Sequence, residues 1–268
     1  MVSVIIIQYN NSHLTKTAIE TFLKYHGKNT EIILADNGSA ENGATDFLNQ
    51  FPDIKLVRSE RNLGFGAMNN LAAQKAEGDI LLFLNNDVII ESEFINNIET
   101  EFAGNPDAGI IGPKILNADK TLQLSCGKLP SIAVEIFDKF IYSLADKRNG
   151  FILNYLNKKY SNKSEQGWVT GAALFVRKDL FFEIGGYDES FFMYFEDKDL
   201  CARSLKKGFK NIYLPSSNLI HLRGGSYEGP AKDFLNKKYR ESQTHYYKKH
   251  KSFLQQVLLK IYLKLSGK

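Results

Sequence analysis

The sequence predicts an α/β protein whose mixed, mostly parallel sheet is flanked by helices. Two observations carry the prediction. Short apolar runs typical of buried strands alternate with helical patterns through the first half of the chain. Alternation of this kind indicates βαβ units with right-handed crossovers. At 268 residues, 43% hydrophobic and 24% charged, the chain can form one large domain of this class with an appendage.

The strongest strand pattern lies between Gly78 and Val88. An apolar run over residues 80–84 stops on Asn85, Asn86 and Asp87. Because open α/β sheets bind ligands beyond the carboxyl ends of their strands, these three polar residues are candidates for a binding site. Asn and Asp are also ordinary turn residues, so a simple strand-to-loop turn explains the run equally well.

The other elements follow in chain order. Strands are predicted at 2–8, 31–35, 54–57, 79–84, 109–112, 168–176 and 209–214. Helices are predicted at 12–23, 46–51, 67–76 and 91–102, from Lys178, and from Glu196 to Lys207. Ser12 is the expected cap of the first helix, and Pro215 the expected end of the last strand. Residues 116–166 show no readable periodicity.

The C-terminal segment differs electrostatically from the rest. Residues 232–268 contain ten Lys or Arg against two acidic residues, a balance of +8, whereas residues 1–231 carry −4. Apolar residues at helical spacing opposite the lysines suit a helix lying on an anionic membrane surface, or one docked on the domain or on a second subunit. The acidic balance elsewhere argues against a nucleic-acid partner.

The two cysteines and the N-terminus bear on location. Cys126 and Cys201 form no spacing pattern, which favours packing residues in a reduced cytoplasmic setting over disulfides or a zinc site. The opening apolar run is too short for a signal peptide or a membrane span. We therefore expect a cytoplasmic protein, with the basic tail as its candidate contact to the inner face of the cell membrane.

Polar and glycine-containing segments follow three successive strands. Asp36 follows the second strand, where an acid can accept hydrogen bonds from a base NH or a ribose hydroxyl. The segment from Asn62 to Asn70 contains Gly64 and Gly66, which permit close backbone approach, and it opens a helix whose free amides attract an anion. Each segment alone is typical of a turn, but together they favour a nucleotide site.

Several motifs together resemble a known family. They are Val4 to Asn10, Asp36-Asn37-Gly38-Ser39, Asn62-x-Gly64-x-Gly66-x-x-Asn69, Leu84-Asn85-Asn86-Asp87-Val88, Gly171, and Phe195-Glu196-Asp197-Lys198-Asp199-Leu200. In this order they resemble the inverting family 2 glycosyltransferases with the GT-A fold, and most of all their rhamnosyltransferase-like branch. The resemblance covers residues 2 to 225. It implies a nucleotide-sugar donor, Mg²⁺ or Mn²⁺, and transfer with inversion at the sugar carbon.

The resemblance also assigns ligands for the metal and the donor. Asp87 matches the last acid of the family's DXD motif, and His221 matches a histidine that coordinates the cation or contacts phosphate. Asn85 stands where the first acid usually is, so it is expected to contact the ribose or a metal-bound water. The expected donor-binding residues are Gln8, Tyr9, Asn10, Asp36, Asn62, Gly64, Asn69, Asn85, Asn86 and Arg223. A lone histidine is more often structural, which remains the alternative for His221.

Catalysis requires a carboxylate that takes the proton of the attacking hydroxyl. By resemblance this is Asp197, with Glu196 orienting it or binding the acceptor. Two acids at a helix start are also ordinary partners of the helix dipole. Asp199 and Arg203, spaced i,i+4, are expected to form an ion pair. Trp168 and Gly171 are the expected acceptor-binding residues, although a Trp in an apolar strand is equally typical of a core.

The resemblance suggests dTDP-rhamnose as donor, then UDP-linked hexoses. It implies a glycan or lipid-linked acceptor in the assembly of a bacterial surface polysaccharide, and transfer of one sugar, since the Gln-x-x-Arg-Trp sequence of polymerising relatives is absent. The expected division is a transferase domain at 1–229, with a nucleotide-sugar half at 1–112 and an acceptor half at 113–229, and a helical tail at 230–268. Alternatives are a nucleotidyltransferase, whose glycine-rich phosphate loop is missing after the first strand, and a non-catalytic glycan-binding module.

Overall fold

The computed structural model describes residues 1–26, 29–40, 43–147, 149–222 and 230–265, and it describes the backbone only for residues 43–46, 146, 230 and 231. The strands are β1 Val2–Gln8, β2 Thr30–Asn37, β3 Lys55–Ser59, β4 Ile80–Asn85, β5 Val88–Ile89, β6 Ala108–Leu116, β7 Leu122–Gln123, β8 Cys126–Gly127, β9 Ser164–Gln166, β10 Trp168–Val169, β11 Ala173–Arg177 and β12 Lys210–His221. The helices are α1 Ser12–Tyr25, α2 Gly43–Gln50, α3 Phe65–Ala73, α4 Ile95–Gly104, α5 Ile132–Asp146, α6 Gly150–Lys159, α7 Lys178–Glu183, α8 Glu196–Lys206, α9 Pro230–His250 and α10 Phe253–Leu265.

The main sheet has the order β3-β2-β1-β4-β11-β6-β12-β5. Parallel pairs join β1 to β2 and β4, β2 to β3, and β6 to β12. Only β11 runs antiparallel between two long strands, β4 and β6, so it begins at the edge where β4 ends. The predicted α/β class with a mixed, mostly parallel sheet is confirmed.

Two apolar layers cover the sheet, one on each face. Along β1, Val4 and Ile6 belong to the layer with α1 and α4, whereas Ile5 belongs to the layer with α3 and α7. Successive strand residues point to opposite faces, so a strand buried on both sides needs an uninterrupted apolar run. Each fully buried Val, Ile or Leu contributes roughly 1.5–3 kcal/mol to folding. This double coverage explains the continuous runs in β1 and β4.

Three local predictions were wrong. Pro215 does not end the last strand, because β12 continues to His221 through a register shift between Leu214 and Asn218, where a residue without an N–H is tolerated. The run 168–176 is not one strand: β10 pairs with β8, and β11 joins the main sheet after a turn. Ser12 is the first helical residue rather than the cap, and the N-cap Asn11 makes no side-chain capping bond.

The C-terminal tail packs on the domain. Tyr246 and Tyr247 of α9 and Leu259 of α10 are buried against Phe191 and Phe195. Of the alternatives weighed for the tail, docking on the domain is therefore the one found for α9. Over the residues that the structure describes, every helix is too short or too polar to cross a bilayer.

The predicted division into domains stays a prediction. The boundary between residues 112 and 113 falls inside β6, and strands from both halves share the main sheet. The boundary at 229 adjoins residues 223–229, which lie outside the described residues. Cys126 and Cys201 are both buried and free, as expected of packing residues.

Candidate active site

Two candidate acids are held near one backbone corner, the turn between β10 and β11. Ala172 O accepts a hydrogen bond from Asn85 N at 3.0 Å, which fixes the end of β4. At the same corner, Gly171 N donates to Asp197 Oδ2 at 3.1 Å. Asp87 follows Asn85 by two residues, so the predicted metal ligand and the predicted base lie at the same edge of the sheet.

Asp87 and His221 contact each other although they are 134 positions apart in the chain. Asp87 Oδ1 lies 3.0 Å from His221 Nε2, and both side chains are mostly buried. His221 is the last residue of β12, whose end pairs with β5 directly after Asp87. The antiparallel pairing of β12 with β5 therefore brings the two side chains together.

A chain of amides orients the imidazole of His221. Gln123 Nε2 donates to Asn117 Oδ1 at 3.1 Å, which leaves Gln123 Oε1 facing His221 Nδ1 at 2.8 Å. An amide oxygen only accepts, so Nδ1 carries the proton. In the neutral ring, Nε2 then presents a lone pair, to which Asn85 Nδ2 can donate at 3.3 Å.

The donor set fits a hard divalent cation. A carboxylate oxygen and an imidazole nitrogen 3.0 Å apart have the spacing of two adjacent octahedral ligands, which lie roughly 3.0 Å apart when each is about 2.1 Å from the metal ion. Among the described residues there is no group of three or more His, Cys, Asp or Glu side chains that could hold a metal ion. The two side chains therefore match a cation that takes its other ligands from substrate phosphates and water.

The predicted base sits at the start of α8, after two strained residues. Tyr194 and Phe195 have φ angles of 68° and 67°, a left-handed conformation that bulky side chains rarely adopt. Asp197 Oδ1 accepts from Lys198 N at 2.7 Å, and Oδ2 accepts from Gly171 N. The helix amide and the β11 corner thus hold this half-buried carboxylate in one orientation.

Glu196 has a different environment from Asp197. It is only 7% exposed, and its Oε2 has no hydrogen-bond partner among the described residues. Burial, and then the adjacent Asp197 carboxylate, raise the pKa of Glu196 well above its usual range. Of the two acids, Glu196 is the one that its surroundings favour in the neutral form.

The glycine-containing segment before α3 is held by Asn37, at the end of β2. Asn37 Oδ1 accepts from Leu63 N at 2.8 Å, and its Nδ2 donates to Asn62 Oδ1 at 3.0 Å. Asn62 Oδ1 also accepts from Gly64 N at 2.9 Å. Gly64 has φ +90° and lies so close to Phe192 O that an added Cβ would be 2.5 Å away. This segment therefore joins the predicted donor side to the strained loop before α8.

The other predicted donor residues lie at or near the ends of β1, β2 and β4 and on α3. Gln8 and Asn69 are buried, and each has a side-chain oxygen without a partner among the described residues. Asn10 accepts from Ala40 N, while the neighbouring Tyr9 is 45% exposed.

Two of these predicted donor residues are engaged within the protein. Asp36 is fully buried, with Oδ2 3.1 Å from Arg58 Nε and Oδ1 accepting from Ser39 N. Asn86 Nδ2 donates to Thr15 Oγ1 on α1 at 2.9 Å. Arg223 lies outside the described residues.

Of the two predicted acceptor residues, Gly171 lies beside Asp197 and Trp168 lies at a cavity. An added Cβ on Gly171 would lie 3.4 Å from the Phe65 ring and 3.6 Å from Asp197 Cβ. Trp168 is 8% exposed, and its ring lines a cavity of about 700 Å³ together with Phe195 and Lys198. Trp168 is thus both largely buried and at a cavity wall.

Several residues of the site were missed from the sequence. Gln123 lies in the stretch without readable periodicity, and Asn37 was noted only as part of a turn motif. Lys198, whose Nζ lies 4.7 Å from the Trp168 ring centre and 4.4 Å from that of Phe195, was noted only as part of the motif at residues 195–200. The signals available were the polar Gln123 beside a strand and the position of Lys198 next to Asp197.

Comparisons with known proteins bear on the family and the fold of the chain. A family model described as Glycosyl transferase family 2 matches residues 3–179. The N-acetylglucosaminyl-diphospho-decaprenol L-rhamnosyltransferase of Mycobacterium tuberculosis strain CDC 1551 is 30% identical over 207 residues. The match covers 73% of this chain and 67% of that relative, so the chain spans about two thirds of the relative's length.

Solved structures with the same fold include two transferases. GalNAc-T7 with UDP, GalNAc and Mn²⁺ matches with a TM-score of 0.63 and 16% identity, over 92% of this chain and 50% of that chain. The mannosyltransferase PcManGT from Pyrobaculum calidifontis, in complex with GDP-Man and Mn²⁺, matches with a TM-score of 0.59 and 15% identity, over 100% of this chain and 80% of that chain. At these identities the likeness concerns the fold, and it confirms the predicted fold class.

Proposed function

Because this chain belongs to glycosyl transferase family 2, we propose that it transfers one sugar from a nucleotide-sugar donor to a hydroxyl of a glycan or lipid-linked acceptor, with inversion at the sugar carbon. The observation that carries the proposal is the Gly171–Ala172 corner, which ties Asp197 to the end of the strand that leads to Asp87. One acid beside a leaving diphosphate and another beside an attacking hydroxyl are what the reaction requires.

In the proposed mechanism, Asp197 takes the proton of the acceptor hydroxyl while that oxygen bonds to the anomeric carbon of the donor. The bond from this carbon to the diphosphate breaks, and its electron pair leaves with the nucleoside diphosphate. Each oxygen of Asp197 accepts one backbone hydrogen bond and keeps a second lone pair for the incoming proton. Attack from the face opposite the diphosphate inverts the carbon.

Asp87 and His221 would hold the divalent cation, Mg²⁺ or Mn²⁺. When bound, such a cation supplies positive charge that stabilises the leaving diphosphate. The amide chain through Gln123 keeps the proton on Nδ1 of His221, so that Nε2 remains available as a ligand. Two structures of the same fold contain Mn²⁺, which supports a divalent cation here.

For the substrates, we propose L-rhamnose from a dTDP-linked donor, with UDP-linked hexoses as the next candidates. The support is the M. tuberculosis relative, which is named as a rhamnosyltransferase acting on an N-acetylglucosaminyl-diphospho-lipid. The proposed role is assembly of a bacterial surface polysaccharide. A screen of dTDP- and UDP-sugars by thermal shift, with and without Mn²⁺, identifies the donor because a ligand of the native state raises its apparent stability.

The test of the catalytic assignment is Asp197→Asn, with Asp53→Asn as the matched control at an exposed loop. Loss of a general base is expected to lower kcat by about 10²- to 10⁴-fold, with donor affinity unchanged. Formation of the nucleoside diphosphate measures turnover, and calorimetry measures donor binding. Full turnover by Asp197→Asn would overturn the assignment.

We also propose that the protein binds the surface of an anionic membrane through α5, α6 and α10, of which α5 contacts the other two. Their exposed apolar side chains are Ile136, Phe137, Phe140, Phe151, Tyr155, Phe253, Leu254, Leu258, Ile261 and Leu265. Lysines accompany them on the same helices, which suits an anionic interface.

Flotation with anionic liposomes tests the membrane proposal. The double variant Phe253→Ser and Ile261→Ser is expected to lose most of its binding, whereas Phe182→Ser, at a similarly exposed site on α7, keeps it. Point substitutions are preferable to removal of the tail, because removal would uncover Phe191 and Phe195. Equal flotation of all three proteins would count against this membrane surface.

A further inference from the structure

A large cavity between α5, α8, α9 and α10 has no role in the mechanism above. Its volume is about 700 Å³, within the range of ligand sites. Its charged lining residues are Lys128, Lys139, Lys147, Lys198, Arg240, Glu135 and Asp138. We call this cavity the basic groove, since five cationic side chains face two carboxylates.

The cations of the basic groove outnumber its acids, five to two. Among the described residues, no ion pair within 4.0 Å is found for Lys128, Lys139, Lys147 or Lys198, although Lys198 interacts electrostatically with both Glu135 and Asp138. One of the two acids, Glu135, is also engaged by Gln243, whose Nε2 donates to it. The groove therefore keeps an excess of positive charge next to the reaction site.

The floor of the basic groove is aromatic. Trp168, Phe195, Tyr142, Tyr239 and Tyr262 line it, and the ammonium of Lys198 lies over the first two rings. Aromatic faces suit the apolar face of a sugar or a hydrocarbon chain, whereas exposed ammonium groups suit phosphate oxygens. The combination selects a ligand that carries both kinds of group.

The basic groove adjoins the proposed reaction centre on two sides. Lys198 follows Asp197 directly, and Phe195 precedes the Glu196–Asp197 pair. Tyr142 lines both this groove and a second cavity of about 480 Å³ that includes His221. A molecule seated in the groove can therefore present a hydroxyl to Asp197 while the rest of it extends toward α5 and α10.

We propose that the basic groove binds the phosphate or diphosphate group of an amphiphilic acceptor, with the lysines and Arg240 on the phosphate and the aromatic floor on the adjoining sugar or chain. This inference rests on the proposed function, because it names the class of acceptor for the same site. It assigns Lys198, Lys139, Lys147, Lys128 and Arg240 to acceptor recognition. The donor diphosphate binds elsewhere, at Asp87 and His221.

A binding experiment tests the groove without turnover. Trp168 is the only tryptophan of the chain, so its fluorescence reports on the groove. Farnesyl diphosphate is titrated in EDTA with excess dTDP, which removes cation-dependent binding at the donor site. We expect saturable quenching by farnesyl diphosphate, competition by inorganic pyrophosphate, and no comparable binding of farnesol.

The variants separate the groove from general surface charge. Lys198→Gln is expected to weaken farnesyl diphosphate binding by about tenfold, the effect of losing one charge-assisted contact. The rim variant Lys139→Gln/Lys147→Gln is expected to do the same, and its residues are exposed, so folding is not at risk. The control Lys24→Gln/Lys75→Gln removes the same charge outside the groove and should leave binding unchanged.

A kinetic experiment distinguishes failure of this inference from failure of the proposed function. Donor hydrolysis without acceptor reports on the donor site and should be equal in wild type and in the rim variant Lys139→Gln/Lys147→Gln. With an alkyl glycosyl diphosphate as acceptor, the rim variant should show KM raised about tenfold at unchanged kcat, and with the matched uncharged alkyl glycoside no change. Farnesol binding as tightly as farnesyl diphosphate, or a rim variant that matches the wild type with the phosphorylated acceptor, would overturn the inference.

Discussion

Asp199 is the residue whose loss should destabilise the protein most clearly through charge. It is fully buried on α8 and forms the predicted ion pair with Arg203, at 2.7 Å. Its carboxylate also lies 2.7 Å from Lys249 and 2.6 Å from His250, both on α9. One carboxylate therefore joins the catalytic helix to the basic tail. Asp199→Asn keeps the shape and removes the charge.

The expected cost follows from the partners that would be left behind. Removing one member of a buried ion pair costs about 3–5 kcal/mol, because the remaining charge stays without compensation. The side chains of Arg203 and Lys249 are 17% and 30% exposed, so partial rehydration favours the lower end, about 3 kcal/mol. For a chain of this size that corresponds to a fall in Tm of roughly 6–12 °C.

The stabilisation by Asp199 should also depend on pH. Burial acts to raise the pKa of Asp199, but the hydrogen bond from His250 and the charge of Arg203 outweigh it, so that the pKa lies below its usual value. A lowered pKa in the folded state gives stability that is complete above the unfolded pKa of about 3.9 and is lost as pH falls through the folded value. The gap between wild type and Asp199→Asn should therefore shrink in acid.

Urea unfolding at pH 7, with thermal unfolding alongside, measures the effect. The control is Glu183→Gln, which breaks the half-exposed pair with Lys207 at 2.6 Å and should cost less than about 1 kcal/mol. A cost for Asp199→Asn that is no larger than that of the control would refute the reasoning. So would a difference that stays constant from pH 7 down to pH 3.

Three further predictions concern the site. Gly64→Ala should destabilise the folded protein by about 1–3 kcal/mol, because residue 64 has a positive φ and the added Cβ would collide with Phe192 O. Gly104→Ala, with open space around it, is the control and should not destabilise the protein; calorimetry measures both variants. Glu196→Gln should become more stable than wild type as pH rises above about 4.3, by up to about 1.4 kcal/mol per pH unit. The reason is that the raised pKa of Glu196 makes its ionisation costly in the folded wild type; equal stability profiles against pH would contradict this. Gln123→Leu removes the amide that orients the imidazole of His221, so it should weaken Mn²⁺ binding in the presence of nucleotide by about 10- to 100-fold. Paramagnetic resonance titrations measure this affinity, and an unchanged value would contradict the orienting role of Gln123.

The first half of the fold could be predicted because its signals are local. The runs of β1 and β4 are continuously apolar since both faces of the sheet are covered, and α1 shows its buried face at helical spacing. The run 168–176 was misread because β10 and β11 are equally apolar, and only their different pairing partners separate them. Pro215 was misread because a bulge lets β12 continue past it.

By itself the sequence determined the strand end that Asp87 follows and the helix start that carries Asp197, and hence the family and the class of reaction, since residue types and their order along the chain carry that information. The tertiary structure alone decided which residues meet: Gln123 beside His221, Asn37 under the segment before α3, and α9 over Asp199. These contacts join residues far apart in the chain, and no local periodicity encodes them. The basic groove likewise exists only because α5, α8 and the consecutive pair α9 and α10 enclose one space.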